Sequence, residues 1–600
     1  MFQLSTSQGS LFESQFQMSD KKHKRLEKTW AKIFYERCFP LIDESLFRSF
    51  YCEDNGAPCK SIRVVVSALI LQAIFDLTDA ETQAAVDFDL RWHLALGLDP
   101  CDDHDYVSQR TLQYFQEKLI THETALLLFN DLTDRLIAEL GINTGQQRLD
   151  STHIVSNFAI RSRLGVFCET HRVFLHALRR ADMCSDTALL TAVAPSLRRR
   201  YMDDEGTDTH YDDARASDSR RRLSVAARDA YRLRETFRGV VLPPAAAEAY
   251  ALVERLVAEH CTIVAEPSAP AADDGDADLA AVPVVVKEAK TLSASSLQTP
   301  HDPDVTYSGH KGQGYEVLIM ETCNPTNEVQ LITHVSLKRS CESDSERVIP
   351  AITALEERGL TPESVLADTA FGSTENVVAS AQHGVELISP QPGNAPKEAP
   401  HVPEFMVNEH DFQVQLTPSA PPSCCPLGVV AMQTRLLTTD ADGPIALLQM
   451  PTASCQTCDR RGWCPAMTME NGDTLVMLPL NELLPCWRRA DESEDSFRER
   501  YNVRAGIEGT NSELKRGQGL GHLRVRGAPR VSLAMYLRMI ACNMKRAMRY
   551  WGDTRKKANK CIISEDITLK NFNFRFFSFG KTLYYAICGV LSNMIEFRVV

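Results

Sequence analysis

Residues 498–516, RERYNVRAGIEGTNSELKR, constrain this chain more than any other stretch. Read as a helix, they set Tyr501, Arg504, Glu508 and Lys515 within roughly 60° of one another on one face. Glu513 falls on the opposite side, and Glu499 points well away. One carboxylate is thus flanked by a phenol, a guanidinium and an ammonium. A charged helix face is ordinarily solvated surface. Two features argue for more. Gly506 and Gly509 flank the Glu508 turn and cost a helix roughly 1 kcal/mol each relative to Ala, so something other than propensity favours this sequence. The chain that follows is densely basic, with Arg516, Arg524, Arg526, Arg530, Arg538, Lys545, Arg546 and Arg549. A carboxylate able to hold a divalent metal, beside cations able to hold phosphates, is the chemistry of phosphoryl transfer on nucleic acid.

The whole chain sets limits on this reading. Its 600 residues, 44% of them hydrophobic, suffice for two to four domains with a sizeable core. A formal net charge of -14 argues against a protein that coats nucleic acid uniformly, but leaves room for a local basic face. No stretch of about 20 apolar residues occurs, so no spanning helix is expected. With no secretory signal visible, the 18 cysteines are read as belonging to a reducing cytoplasm.

Taken in order, residues 1–40 read as a polar, basic arm leading into a helix. Residues 41–142 read as helical. Residues 61–75 are apolar nearly all round, as in a buried bundle helix. Thr78 with Glu81 reads as a helix start, and Ser108 as a cap. Residues 147–156 read as a strand with Asp150 inside it, an unfavourable place for an aspartate unless it is exposed or bound. His153 is read as structural. Residues 160–300 read as a helical insertion with Arg-rich and acidic runs and a flexible linker at 266–278. Residues 307–320 read as a Gly-punctuated hairpin running into a strand, and 330–337 as the next strand. Residues 363–374 read as an apolar strand ending at Asp368, then a turn into a helix capped by Ser373 and Thr374. Within residues 391–487, Cys455-x2-Cys458 with Cys425 and Cys464 fits a structural zinc site, with Cys424 and Cys486 competing for the fourth position. Reduced core thiols and an iron–sulfur cluster remain the alternatives. A zinc ion there would hold an insertion that lacks its own core.

The spacing Tyr501-x2-Arg504-x3-Glu508-x6-Lys515 resembles the Y-R-E-K signature of DDE transposases from bacterial insertion sequences. The stretch around Asp368 resembles the A-D-x-x-[FY]-x-S pattern at that family's second aspartate, and Asp150 matches its first aspartate by position. The resemblance covers roughly residues 40–550. It implies an α/β fold with a ribonuclease-H-like catalytic core, a mixed sheet flanked by helices. It further implies a helical N-terminal DNA-binding domain at 41–142, a catalytic domain beginning at 143–390, a Cys-rich insertion at 391–487, and a Glu helix with a basic C-terminal helix at 488–560. The Phe-rich residues 561–600 match nothing in the family.

On this resemblance Asp150, Asp368 and Glu508 would hold two Mg2+ (or Mn2+) ions about 3.5–4 Å apart for strand cleavage and strand transfer. Tyr501, Arg504, Lys515, Arg516, Arg524 and Arg526 would contact DNA, with Tyr501 stacking on or hydrogen-bonding a nucleotide. Cys425, Cys455, Cys458 and Cys464 would hold zinc. The implied partners are double-stranded DNA and further copies of the chain, as a dimer or higher oligomer paired on DNA, associated with the nucleoid. An inactive DNA-binding descendant and a nuclease that cuts without joining are the alternatives.

Overall fold

The computed structural model describes residues 19–52, 59–99, 106–185, 187–268, 282–439 and 443–573. Its N-terminal region is helical, as the sequence leads one to expect. Helix α1 (Ile62–Phe75) starts where the Ser61 side chain accepts from the Val64 amide, and it is buried along most of its length. Helix α2 (Asp79–Phe88) opens with a reciprocal capping box between Thr78 and Glu81. Helix α3 (Gln109–Thr121) is capped by Ser108, and α4 (Thr124–Leu140) follows it. The expected N-terminal arm needs correcting. The helix Asp20–Leu26 has no buried residue, but Ala31, Phe34 and Cys38 are fully buried in the same core as α1. Their helical spacing carries an apolar face that the preceding run of lysines obscures in the sequence.

Strand β1 (Gln146–Ile154) begins the central sheet. The insertion after it is a unit with its own core. Helices α5 (Arg163–Ser185), α6 (Ala216–Phe237) and α7 (Pro244–His260), with the hairpin β2 (Cys261–Ser268) and β3 (Val282–Val286), enclose Phe167, Phe174, Tyr201, Phe237, Val253 and Leu256. Most of the linker expected at 266–278 lies outside the described residues. The sheet resumes with β4 (Thr306–Ser308), β5 (Gly312–Thr322) and β6 (Ile332–Arg339). It continues through α8 (Val348–Glu356), β7 (Ser364–Leu366), α9 (Thr374–Gln382) and β8 (Glu386–Ile388). The strand order is β4-β5-β1-β7-β8, with β6 also alongside β5. Strand β5 runs antiparallel to β1, β4 and β6, whereas β1, β7 and β8 are parallel. On one face Leu149, Leu318, Met320 and Val365 pack with residues of α8 and α9. Ser373 accepts from the Asn376 amide and caps α9, while Thr374 is its first residue.

The Cys-rich insertion forms a second sheet from β9 (Gln433–Thr439), β10 (Gly443–Met450), β11 (Met467–Thr468) and β12 (Thr474–Pro479), in the order β11-β12-β10-β9. It was expected to lack a core of its own, and in fact it shares one. Ala446, Leu448, Val476 and Leu478 join the cluster that holds Val348, Leu355 and Val365. Helix α10 (Leu480–Asp491) returns the chain to the central sheet, followed by α11 (Asp495–Asn502) and α12 (Gly506–Ser512). The last helix, α13 (Ala528–Asn573), touches α1 and α4 as well as β6, so it joins the N-terminal helices to the sheet. Asn543, fully buried on α13, donates to Ile332 O at 2.8 Å and accepts from Ile332 N at 2.8 Å. Among the described residues no helix is long and apolar enough to cross a membrane. The Phe-rich tail from 574 onward lies outside the described residues.

A three-acid candidate site on the central sheet

The parallel register of β1 and β7 pairs Arg148 with Leu366, so two residues further on Asp150 comes alongside Asp368. Asp368 sits just past the end of β7 and caps a short turn, where its carboxylate accepts from the Thr369 amide at 2.6 Å. Gly372 closes that turn: a Cβ there would lie 1.8 Å from Ser389 Oγ. Arg488 fills the same corner and donates to Gly372 O at 2.6 Å. Strand alternation points Arg148 and Asp150 to one face of the sheet, the face crossed by α11 and α12.

The Glu508 segment is not one uniform helix. Helix α11 passes through a 3-10 turn at Val503–Ala505 into α12, and then into a π turn at Glu513–Gly517. The change of winding follows from packing. Gly506 has Arg148 against it, where a Cβ would lie 2.0 Å from Nη1, so the helix lies directly on that side chain. Gly509 has open space around it. The π turn alters the phase of Lys515 relative to a regular helix, yet Lys515 still comes within electrostatic reach of Asp150 and Glu508.

Asp150 is held on both oxygens by this segment. Arg504 Nη2 lies 3.3 Å from Asp150 Oδ1 and 3.8 Å from Asp368 Oδ2, so one guanidinium stands between the two acids. Asn511 Nδ2 donates to Asp150 Oδ2 at 2.9 Å. Burial raises the Asp150 carboxyl above its usual range against the pull of Arg504, and the negative charges of Glu508 and Asp368 push it the same way. Burial lowers the Lys515 ammonium, and Lys311 at the tip of the β4–β5 hairpin adds to the effect. Three acids and Lys515, from three segments, therefore share one field, while Lys311 is paired with Glu316 at 3.1 Å. Tyr501 stacks on Phe497, with centroids 5.6 Å apart and planes at 14°, and packs over Leu366 and Ile388. Phe497 thus engages one face of the Tyr501 ring.

Behind the acids lies a buried ionic network that the sequence does not advertise. Arg148 Nη2 pairs with Glu321 at 2.8 Å, and Nη1 donates to Val503 O at 2.9 Å. Arg546 of α13 also pairs with Glu321, and it donates to Thr510 Oγ1 at 2.7 Å. Thr510 in turn donates to Glu321 at 2.7 Å. Glu321 is fully buried, and both arginines are nearly so. The network ties both ends of α12 to β1 and β5 and so fixes the backbone that carries Glu508.

The other basic residues expected on DNA divide. Arg516 is exposed. Arg524 pairs with Asp76 at 3.0 Å, and Arg526 donates to Asn157 O, so each braces a neighbouring segment. Among the cysteines, Cys425, Cys455, Cys458 and Cys464 line one cavity of about 30 Å3. Burial raises the Cys455 and Cys464 thiols, and the neighbouring thiols add to the shift. Cys424 points instead to Gln413 Oε1 at 3.4 Å, and Cys486 is buried on α10.

Among the described residues, no group of three or more His, Cys, Asp or Glu side chains is arranged to hold a metal ion. Asp368 and the exposed Glu508 both act electrostatically on Asp150, but the three acids do not close into a shell, and Arg504 stands between the two aspartates. Their donor chemistry, hard carboxylate oxygens in mutual repulsion, is that of a divalent-cation site. The four thiols around one cavity have the chemistry of a zinc site.

Two stretches of this chain match transposase families. Residues 424–548 match the model described as "Transposase DDE domain", and residues 17–118 match "Transposase domain (DUF772)". Together the two matches support a DDE-type transposase. No curated protein matches the chain. The DDE match takes in Tyr501, Arg504, Glu508, Lys515 and the four cavity cysteines, whereas Asp150 and Asp368 lie outside both matches.

Proposed function

We propose that this chain is a transposase that cleaves DNA at the ends of an insertion sequence and joins those ends to a target. The observation that carries the reading is the meeting of Asp150 and Asp368 with the Glu508 helix, through Arg504 and Asn511, on one face of the sheet. The strand order, three antiparallel strands continued by two parallel ones through β1, supports a ribonuclease-H-like core.

Asp150, Asp368 and Glu508 would hold divalent ions, Mg2+ or Mn2+, whose Lewis acidity assists in-line attack at a phosphodiester by water or by a DNA 3′-hydroxyl. The chain supplies the rest. The network around Glu321 keeps α12 fixed on the sheet, so Glu508 keeps its place relative to the two aspartates. Lys515 presents positive charge beside Asp150 and Glu508 to the phosphates flanking the scissile bond. Arg504 neutralises Asp150 and Asp368 in the free chain and can turn to a phosphate once cations take its place. Cys425, Cys455, Cys458 and Cys464 would hold a structural zinc ion that fixes the β9–β12 sheet. Two copies of the chain would pair two DNA ends.

The test is Mg2+-dependent cleavage and joining of duplexes carrying the element's own ends, comparing the native chain with Glu508→Gln. Joined product that disappears in the variant supports the reading. Cleavage without joining would make the protein a nuclease, and binding without cleavage would make it a DNA-binding relative. Equal activity in the variant would overturn the role of Glu508.

A further inference from the structure

Asn511 was not among the residues singled out by sequence, and its two side-chain atoms are used unequally. Nδ2 donates to Asp150 Oδ2 at 2.9 Å. Oδ1 is buried and has no hydrogen-bond partner. A buried amide oxygen without a partner destabilises a fold, so one kept beside a functional group calls for an explanation. The assignment of the two atoms is fixed by chemistry, because only the nitrogen can donate to the carboxylate.

The position is informative as well. Asn511 follows Glu508 by three residues within α12, so the two side chains share one helix face. That face looks onto Asp150. Nδ2 and Oδ1 share one carbon, so the orphan oxygen lies beside the Asp150 carboxylate that Nδ2 holds. Amide carbonyls are hard oxygen donors that divalent cations accept beside carboxylates.

We infer that Asn511 is a fourth member of the acid site: its Nδ2 orients Asp150, and its Oδ1 is an oxygen donor to the divalent cation held there. This rests on the three-acid reading above. It explains why the site carries an amide at this position rather than a further acid. A fourth carboxylate would add its own negative charge and desolvation to a site where burial, and then repulsion, already raise Asp150, whereas an amide offers an oxygen without charge and a donor to hold its neighbour.

The experiment titrates MnCl2 into the full chain at pH 8 without DNA, by isothermal calorimetry, with melting temperatures taken on the same samples. The proteins are native, Asn511→Ala, Asn511→Asp and Asp150→Asn. Asn511→Ala should weaken Mn2+ binding by about 10-fold or more, the scale set by partners of metal ligands. Asn511→Asp keeps the oxygen and gives up the N–H, and should bind Mn2+ within roughly threefold of native or tighter. Native affinity in Asn511→Ala would overturn the inference. Equal weakening in both Asn511 variants would also overturn it, since only the N–H would then matter. If Asp150→Asn loses binding while Asn511→Ala does not, the three-acid reading survives and the role of Asn511 falls. If the native chain and Asp150→Asn bind alike, or neither binds, the three-acid reading falls and this inference with it.

Discussion

The acid site and the cysteine cavity are built in opposite ways. The acids come from β1, the end of β7 and α12, hundreds of residues apart in sequence, and a sheet register with a buried ionic network brings them together. The four cysteines lie between residues 425 and 464, on short turns that surround one small cavity. The first arrangement is held by the fold and has to be rigid before any ligand arrives. The second is local, with its four thiols gathered by one stretch of chain. Thus the acids meet only through long-range structure, whereas the four thiols meet within a single short segment.

The largest expected effect separates chemistry from folding. Asp150→Asn, Asp368→Asn and Glu508→Gln should each lower strand cleavage on the order of 10^3-fold or more, as when one member of a cooperating set is removed. Circular dichroism melts should show these chains folded. Cys455→Ser should instead retain cleavage chemistry in whatever fraction stays folded, so inactivation without loss of structure there would erase the distinction.

Next comes the network that supports α12. Glu321→Ala leaves Arg148 and Arg546 buried without their shared carboxylate, and should destabilise the chain by about 3–5 kcal/mol in urea unfolding. A loss within the range of a surface pair, roughly 0–1 kcal/mol, would mean that α12 is held by packing alone. For the cysteine cavity, a thiol-reactive mercurial should release one equivalent of zinc from the native chain and none from Cys455→Ser, with proteolysis then opening residues 391–479. Zinc-free native protein that resists proteolysis would recast the four thiols as core residues.

The smallest effect concerns Asp150 itself. Its folded carboxyl is raised, so its ionised form disfavours the fold. The cost is absent below the unfolded value, grows as pH rises, and is complete above the raised folded value. Asp150→Asn should therefore raise the melting temperature of the metal-free chain at pH 8 and leave it unchanged near pH 3. The opposite trend would show that Arg504 and Asn511 outweigh burial.

What the sequence made legible follows the same division. Helix caps at Thr78 and Ser108, the apolar helix after Ser61, and the strand around Asp150 depend on near neighbours, and all can be read from a few residues. The Cys455–Cys458 pair and Cys464 were legible for the same reason. The Arg148–Glu321 and Arg546–Glu321 pairs were not, since their partners are 173 and 225 residues apart and only strand register, for the first, and the packing of α13 on the sheet, for the second, unite them. The break of the Glu508 segment into 3-10, α and π turns was hidden too. Gly506 signalled that something unusual favours this helix, but the Arg148 side chain that needs the space is visible only in the fold. Asn511 carries a signal, an amide three residues after Glu508 on the same face, but an uncharged side chain does not stand out among the surrounding acids and bases.

The most direct measurement of the central claim, that three distant acids share one divalent site, is cleavage of the chain's own backbone by Fe2+ bound in place of Mg2+, with ascorbate and peroxide to generate hydroxyl radicals there. The account predicts cuts in three segments, near residues 150, 368 and 508, all suppressed by excess Mg2+ and by Glu508→Gln. Cuts confined to one of these segments, or insensitive to Mg2+, would contradict it.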